Sequence, residues 1–470
     1  MSHPQKKTKL SLPRHNQNQT RNADTMAGPS NAESSPEIFK LNIDCFDEIF
    51  EYLNVKDLYS IGQTCKRMNK VAGEYFKENH SLGRMLCEKD GIYTICWQNN
   101  HKNRPNDKRF LISGFNKFMP CIANNGYGII KYIESHGSEF ESTKHISLNG
   151  LRMNNERTKH FIRLLPQLEI VQHRDCWLTD NLHKLMAEHC QNLKEIYVQD
   201  SDASTCDWLS QEYPKLERLE LMPRNSWAFN ELREFFVRNP KVQRFSTNLI
   251  CLWDNGDIFL NSNAKLDVLE VKGFYSPYCS NRQRTSKTPL ELLNRLHEQG
   301  FYKRLYIYID KADKELGTSF LSLKGLELLC ISWLFESYNL WLPQLINLRE
   351  LIIMNAMYAR DMEIFANGLT KLERLYIVQA SIDHIMPFIR RSPNLNKIKF
   401  IPGSRGVVLN LAMLNAERAM LIGARKITIY TRDDVFLATK WTSRNGETNL
   451  SLIEMRRADS IEWNPQYFPK

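Results

Sequence analysis

The chain has 470 residues, 42% of them apolar and 25% charged, an ordinary balance for a globular protein. That balance excludes a wholly disordered chain, and at about 150 residues per domain the length allows about three domains. Lys and Arg outnumber Asp and Glu by 63 to 53, a net charge of +10, which permits an acidic or nucleic-acid partner without demanding one. The eleven cysteines are scattered and form no CxxC pair, so free buried thiols in a reducing compartment are expected rather than disulfides or a zinc site. The most apolar stretch, 326–342, is broken by Glu327 and Glu336, too short a run for a membrane span. The N-terminus has no apolar core behind its lysines and does not read as a secretory signal. A cytoplasmic or nuclear protein is expected, with no membrane partner.

Residues 1–37 hold no aromatic residue and are rich in Asn, Gln, Ser and Pro, so a disordered tail is expected. The cluster Lys6-Lys7-Thr8-Lys9 has two readings, a nuclear signal or a solvated tail. From Phe39, the residues Ile43, Phe46, Ile49, Phe50 and Leu53 lie three or four apart, one apolar stripe of a helix. Asn54-Val55-Lys56 breaks it, and Asp57 reads as the N-cap of a second helix carrying Leu58, Ile61, Cys65, Met68 and Val71 or Ala72. A third helix, Ala72 to His80, completes a small head.

These residues carry a resemblance. Leu41-Asn42-Ile43-Asp44-Cys45-Phe46-Asp47-Glu48-Ile49-Phe50-Glu51-Tyr52-Leu53, then Val55-Lys56-Asp57-Leu58, then Thr64-Cys65-Lys66-Arg67, resembles the F-box motif. Asn42 replaces the usual proline and Asp44 the usual glutamate. Asn remains a good helix-start residue, so the helix is expected to survive.

Residues 101–117 are basic, with Lys102, Arg104, Lys108, Arg109 and Lys117 against Asp107. Phe110, Leu111, Phe115, Phe118 and Met119 predict packed structure after a surface loop, and Ile129, Ile130, Tyr132 and Ile133 predict a buried helix. From about residue 143 a unit of apolar-x-x-apolar-x-apolar recurs. It begins at Leu168, Leu193, Leu216, Val242, Leu266, Tyr302, Leu326, Leu348, Leu372 and Leu395, with spacings of 25, 23, 26, 24, 36, 24, 22, 24 and 23. Weaker copies flank these at Ile146 and Ile427. Such a period predicts a leucine-rich repeat solenoid, one strand and one return per unit, each burying its apolar residues only by stacking on its neighbours. Cys176-Trp177-Leu178-Thr179-Asp180-Asn181-Leu182 is similar to the cysteine-containing subclass of these repeats.

The 36-residue spacing contains Tyr275 to Pro289, basic and without an acidic residue, expected to be a rim loop; Thr288-Pro289 reads either as a phosphosite or as plain loop. Val435–Trp441 and Leu450–Glu454 flank Arg444-Asn445-Gly446-Glu447, a hairpin signal expected to cap the solenoid. The segments predict an α/β chain: a disordered tail 1–37, a three-helix F-box 38–80, a helical linker and solenoid N-cap 81–142, repeats 143–432 curved around a parallel concave sheet, and a C-terminal cap and tail 433–470.

No catalytic set is legible. His183 and His189 stand six apart rather than four, Gly126-Tyr127-Gly128 has Lys131 where a third glycine belongs, and neither GxSxG nor GxxxxGK[ST] occurs. His173, at an inward repeat position, reads as a hydrogen-bonded core residue. No metal, no cofactor and no intrinsic catalysis are expected.

An F-box followed by these repeats resembles the F-box/leucine-rich repeat proteins, substrate receptors of SCF (Skp–cullin–F-box) ubiquitin ligases. The resemblance implies that the head docks on the Skp adaptor through Leu41, Ile43, Phe46, Ile49, Phe50, Leu53 and Leu58, some of which hold the helices together instead. It implies also that the solenoid binds the protein to be ubiquitinated. The alternatives are a non-ligase repeat scaffold and, less supported, a nucleic-acid binder. Strand alternation turns the residue between the last two apolar positions, and the one after them, to the concave face. Early units place Gln172, Arg174, Tyr197, Gln199, Glu220 and Met222 there, later units Tyr306, Tyr308, Cys330, Ser332, Ile352, Met354, Tyr376, Val378 and Ile401. The later set is the more apolar. Tyr306, Tyr308, Ile352, Met354, Tyr376 and Val378 are the expected substrate residues, unless the chain's own Trp463, Tyr467 and Phe468 shield them.

Overall fold

The computed structural model describes residues 38, 41–80, 84–86, 92–94, 110–123, 128–178, 180–199, 202–203, 207–223, 230–273, 289–310, 314–334, 336–356, 362–443 and 450–458. The expected disordered tail, the 275–288 loop, the Asn445-Gly446 turn and the aromatic C-terminal residues lie outside them.

Three short helices open the fold: α1 (Ile43–Phe50), α2 (Val55–Gly62) and α3 (Lys66–Asn79). Asn42 caps α1, its side chain accepting from Cys45 N at 2.8 Å, so the residue in place of proline starts the helix by a side-chain cap. Two sequence expectations change. The N-cap of the second helix is Asn54, which accepts from Asp57 N at 3.1 Å; Asp57 sits inside the first turn. The stripe through Cys65 and Met68 belongs to a separate helix, because Cys65 turns extended and its Sγ accepts from Met68 N. α3 therefore starts at Lys66, not at Ala72.

The head seats on the segment that leads into the solenoid. Phe115, Phe118 and Met119 are buried, as the sequence predicts. Phe118 packs so closely over Gly73 that a Cβ there would lie 2.1 Å from its ring, and Tyr59 stacks edge-on against Phe115 at 5.1 Å. Helix Gly128–His136 buries Ile129, Ile130, Tyr132 and Ile133, matching the expectation.

A sheet of 17 strands then runs through the described residues. From Cys121–Ala123 to Ile453–Arg457 its neighbours are all parallel, one strand per repeat. The repeat positions align. Val171 pairs with Ile196, then Leu219, Phe245, Leu269 and Leu305. There the ladder slips by one residue at a bulge between Leu305 and Tyr306: Leu305 faces Leu326, Tyr306 faces Leu328, and a new row starts where Ile307 faces Leu329. The row continues through Leu351, Leu375, Ile398, Ile429 and Met455. The inward side chains of this row form one continuous core that also takes in Phe46, Phe50 and Phe76 of the head. A second parallel sheet of three short strands, Arg152–Met153, Trp177–Leu178 and Asp202–Ala203, joins successive return segments.

The expected terminal hairpin is not what forms. Val435–Trp441 lies within a helix, Asp433–Thr442, whose first-turn Asp433 and Asp434 favour a helix start. Ile453–Arg457 pairs parallel with Ile427–Thr431. The stretch is one more repeat, read as a hairpin because a turn signal outweighed the weak 3.6 period before it.

The two ends of this arc meet at the head. Arg457, on the last strand, donates from Nη2 to the carbonyl oxygens of Glu51 at 2.6 Å and Leu53 at 3.0 Å, at the end of α1. Its guanidinium pairs with Asp433 and lies 4.7 Å from the Phe436 ring centroid. Lys440 Nζ reaches Glu51 Oε2 at 2.9 Å. The head thus packs on the 113–119 segment before the first parallel strand through α2 and α3, and on the last repeat through α1.

Candidate functional site

Two surfaces answer to the residues singled out by the sequence: the outer side of α1 and the concave face of the sheet.

On α1 the structure divides the adaptor set. Phe46, Phe50 and Leu58 are buried, and Leu41 and Leu53 pack half-buried against the same core. Phe46 and Phe50 stack at 5.7 Å, and Phe50 meets Tyr75 edge-on at 5.4 Å. Arg67 ties the start of the segment by donating to Leu41 O at 2.9 Å. Ile43 and Ile49 behave differently: they are 61% and 39% exposed. Helical geometry puts them on either flank of the buried Phe46–Phe50 stripe. Of seven residues, these two are the apolar side chains that α1 offers to a partner.

The concave face is two surfaces in one register. Its early part carries an ion network. Glu270 is buried and receives Arg218 Nη2 at 2.9 Å, Arg244 and the Ser246 hydroxyl. Glu220, also buried, receives Lys272 Nζ at 2.6 Å and the Gln199 amide. Burial pushes the Glu270 carboxyl up, but Arg218, Arg244 and Lys272 outweigh it and hold the group down at about 2. Burial pulls Lys272 below the ordinary lysine range, against the pull of Glu220 and Glu270. Sequence reasoning placed Gln199 and Glu220 here but missed Arg218, Arg244, Ser246, Glu270 and Lys272. The signal was present, since Ser246 and Glu270 occupy the same repeat position as Glu220.

The later part is apolar. Tyr308, Leu328, Cys330, Ile352, Met354, Tyr376, Val378, Ile401, Tyr430 and Ala458 form a cluster of their own, with Tyr306 half-buried at its edge. The strip was expected to be open to water unless something covers it. Instead these ten side chains are between 0 and 7% exposed. The structure therefore gathers all six expected substrate residues on one face, but only Tyr306 among them is partly open. Burial pushes the hydroxyls of Tyr306, Tyr308 and Tyr376 up. Trp463, Tyr467 and Phe468 lie outside the described residues. The two parts of the face join through cations over rings: Arg244 is 5.3 Å from the Tyr306 centroid and Lys272 is 5.4 Å from that of Tyr308.

Cys176 donates to the Arg174 carbonyl at 3.2 Å inside the core, and burial raises its thiol. His173 is a core residue, edge-on to His183 at 5.4 Å, while His183 stacks on Trp208 at 4.6 Å. The expected hydrogen bond is not there: both ring nitrogens of His173 lack a partner among the described residues. Burial pulls His173 well below the usual histidine range and His183 down to about 3. No group of three His, Cys, Asp or Glu side chains able to hold a metal occurs among the described residues, and no helix among them is long and apolar enough to cross a membrane.

Comparison with known proteins matches residues 38–75 to the F-box domain. No curated protein matches the chain. Among solved structures the chain is similar to the internalin inlF of Listeria monocytogenes, at 13% identity and a TM-score of 0.25, covering 74% of this chain and 89% of that one. It is similar also to TLR13 in a TLR13-ssRNA13 complex, at 10% identity and a TM-score of 0.30, covering 73% of this chain and 53% of that one. At such scores the solenoid assignment rests on the chain's own ladder of repeats. What stands is an F-box domain built into the two ends of a leucine-rich repeat solenoid.

Proposed function

We propose that this F-box protein with a leucine-rich repeat solenoid is the substrate-recognition subunit of an SCF-type E3 ubiquitin ligase. F-box domains bind the Skp adaptor of SCF complexes, and the match over residues 38–75 gives this chain that capacity. In this reading Ile43 and Ile49 are the apolar contacts of α1, while Phe46, Phe50 and Leu58 keep the helix in shape for them. The solenoid holds the protein to be modified. Ubiquitin transfer belongs to other subunits, and this chain contributes proximity, which turns a bimolecular encounter into an effectively unimolecular one.

The observation that carries the proposal is the F-box match together with the exposure of Ile43 and Ile49 on its first helix. For the substrate, the observation in support is the apolar strip through Tyr308, Ile352, Met354, Tyr376 and Val378, with Tyr306 as its open edge. A substrate that uses the strip must displace whatever buries it.

The test is co-purification of the Skp adaptor and cullin with the full chain and with Ile49→Asp. The expected outcome is capture by the wild type and loss in a variant that melts at the same temperature. Association with other proteins but never with adaptor or cullin would establish the scaffold reading instead. Affinity purification under proteasome blockade then identifies the substrate.

A further inference from the structure

We infer that the adaptor-docking face is composite: Trp441, from the far end of the solenoid, stands beside α1 as part of it. The inference rests on the adaptor-binding reading above.

Tyr52 follows Glu51, the C-cap of α1, and its N–H donates to the Ile49 carbonyl at 3.1 Å, continuing the helical turn. On that turn Tyr52 lies next to the exposed Ile49. The Trp441 ring meets the Tyr52 ring edge-on, centroids 5.4 Å apart. Ile49, Tyr52 and Trp441 thus form one row of apolar and aromatic groups that crosses from the first helix to the last. Trp441 is 52% exposed although it sits on an ordered helix. Three contacts fix its helix against α1. Lys440, the residue before it, pairs with Glu51 at 2.9 Å. Arg457 donates to the Glu51 and Leu53 carbonyls and pairs with Asp433, the first residue of the same helix. A helix held so firmly, with the Trp441 ring already against Tyr52, leaves less entropy to lose when a partner covers the side chain.

Tryptophan and tyrosine are the residue types that dominate interface energetics, because each buries a large rigid area with few rotors. The occupant is fixed by continuity. A protein that covers Ile49 on α1 meets Tyr52 on the next turn and Trp441 behind it. The adaptor is therefore the partner to which this row is fitted, and residues 38–75 alone lack one of its members.

The experiment measures adaptor affinity by calorimetry with the full chain: wild type, Ile49→Asp and Trp441→Ala, each with its melting temperature. We expect Trp441→Ala to bind roughly tenfold more weakly, the scale of an interface tryptophan, at an unchanged melting temperature. Hydrogen exchange on the wild-type chain gives an answer that does not depend on a variant: adaptor should slow exchange in 436–443 as well as in 43–53. Loss of binding in Ile49→Asp with full affinity in Trp441→Ala, or protection confined to 43–53, overturns the composite face and leaves the F-box reading standing. A wild-type chain that binds no adaptor overturns the F-box reading itself.

Discussion

The two parts of the concave face share one ladder and have opposite chemistry. Glu220, Ser246, Glu270, Tyr306 and Leu328 are successive residues of one row. Strand geometry dictates where these side chains point and leaves open what they are. Before Tyr306 the row is charged, and two buried carboxylates are compensated by Arg218, Arg244 and Lys272. After it the row and its neighbours are apolar. Glu220 and Glu270 are as fully buried as the apolar cluster, but the free energy differs in origin. The early part lives on cancellation of charge in a poorly solvated place, which is costly to disturb by removing one partner. The later part lives on apolar area, which can be shaved a methyl group at a time.

Breaking the early part should cost most. Glu270→Ala leaves Arg218 and Arg244 facing each other without their carboxylate, and about 3–5 kcal/mol should be lost in urea denaturation, the scale for breaking a buried ion pair. A loss no larger than that of a surface substitution would mean the network is solvated.

The pH dependence should separate the two parts. Glu270 is held at about 2 in the fold against an ordinary 4.5, so its stabilisation is complete above about pH 4.5 and disappears as pH falls towards 2. His183, pulled from 6.5 to about 3, adds to the same limb: its neutral form fits the core, and stability falls as pH drops below 6.5. The later part is silent there and fails at the other end. Its tyrosines, Tyr308 and Tyr376 buried and Tyr306 half-buried, have hydroxyls raised above the ordinary 10, so their contribution is intact below pH 10 and declines above it. Exchange of amides in 218–272 should therefore quicken first in acid, and in 306–378 first in alkali; the same order at both extremes would refute the division.

The mildest probe sharpens the later part. Ile352→Val removes one buried methylene and should cost about 0.5–1.5 kcal/mol in the same denaturation assay. A cost near zero would mean the strip is loosely packed.

The solenoid was legible from the sequence because each repeat must present the same inward residues to its neighbours. Leu219 and Leu269 stand in one row before the bulge, and Leu351 and Leu375 in one row after it, as the spacing within each stretch requires. The break between α2 and α3 was hidden because Leu58, Ile61, Cys65 and Met68 keep helical phase across it. The break is made by the Cys65 cap. The slip at Leu305–Tyr306 was equally invisible, since the unit beginning at Tyr302 keeps the frame of the unit before it and stands two residues out of frame only against the unit after it. The concave rows could be assigned, but not their burial, which depends on what stands opposite. Trp441 and Arg457 were beyond local reading: their role depends on contacts with a helix some four hundred positions earlier.

That last contact has a consequence for how the molecule comes apart. A stack of repeats behaves as a one-dimensional chain whose stability is set by nearest neighbours, so it ordinarily unravels from its tips. Arg457 and Glu51 lie 406 residues apart and touch, which leaves this arc without a loose tip. Closing so long a loop is costly in entropy and slow, so the first helix and the last strand should find each other late in folding. Once they have, fraying of the final repeat must also release α1.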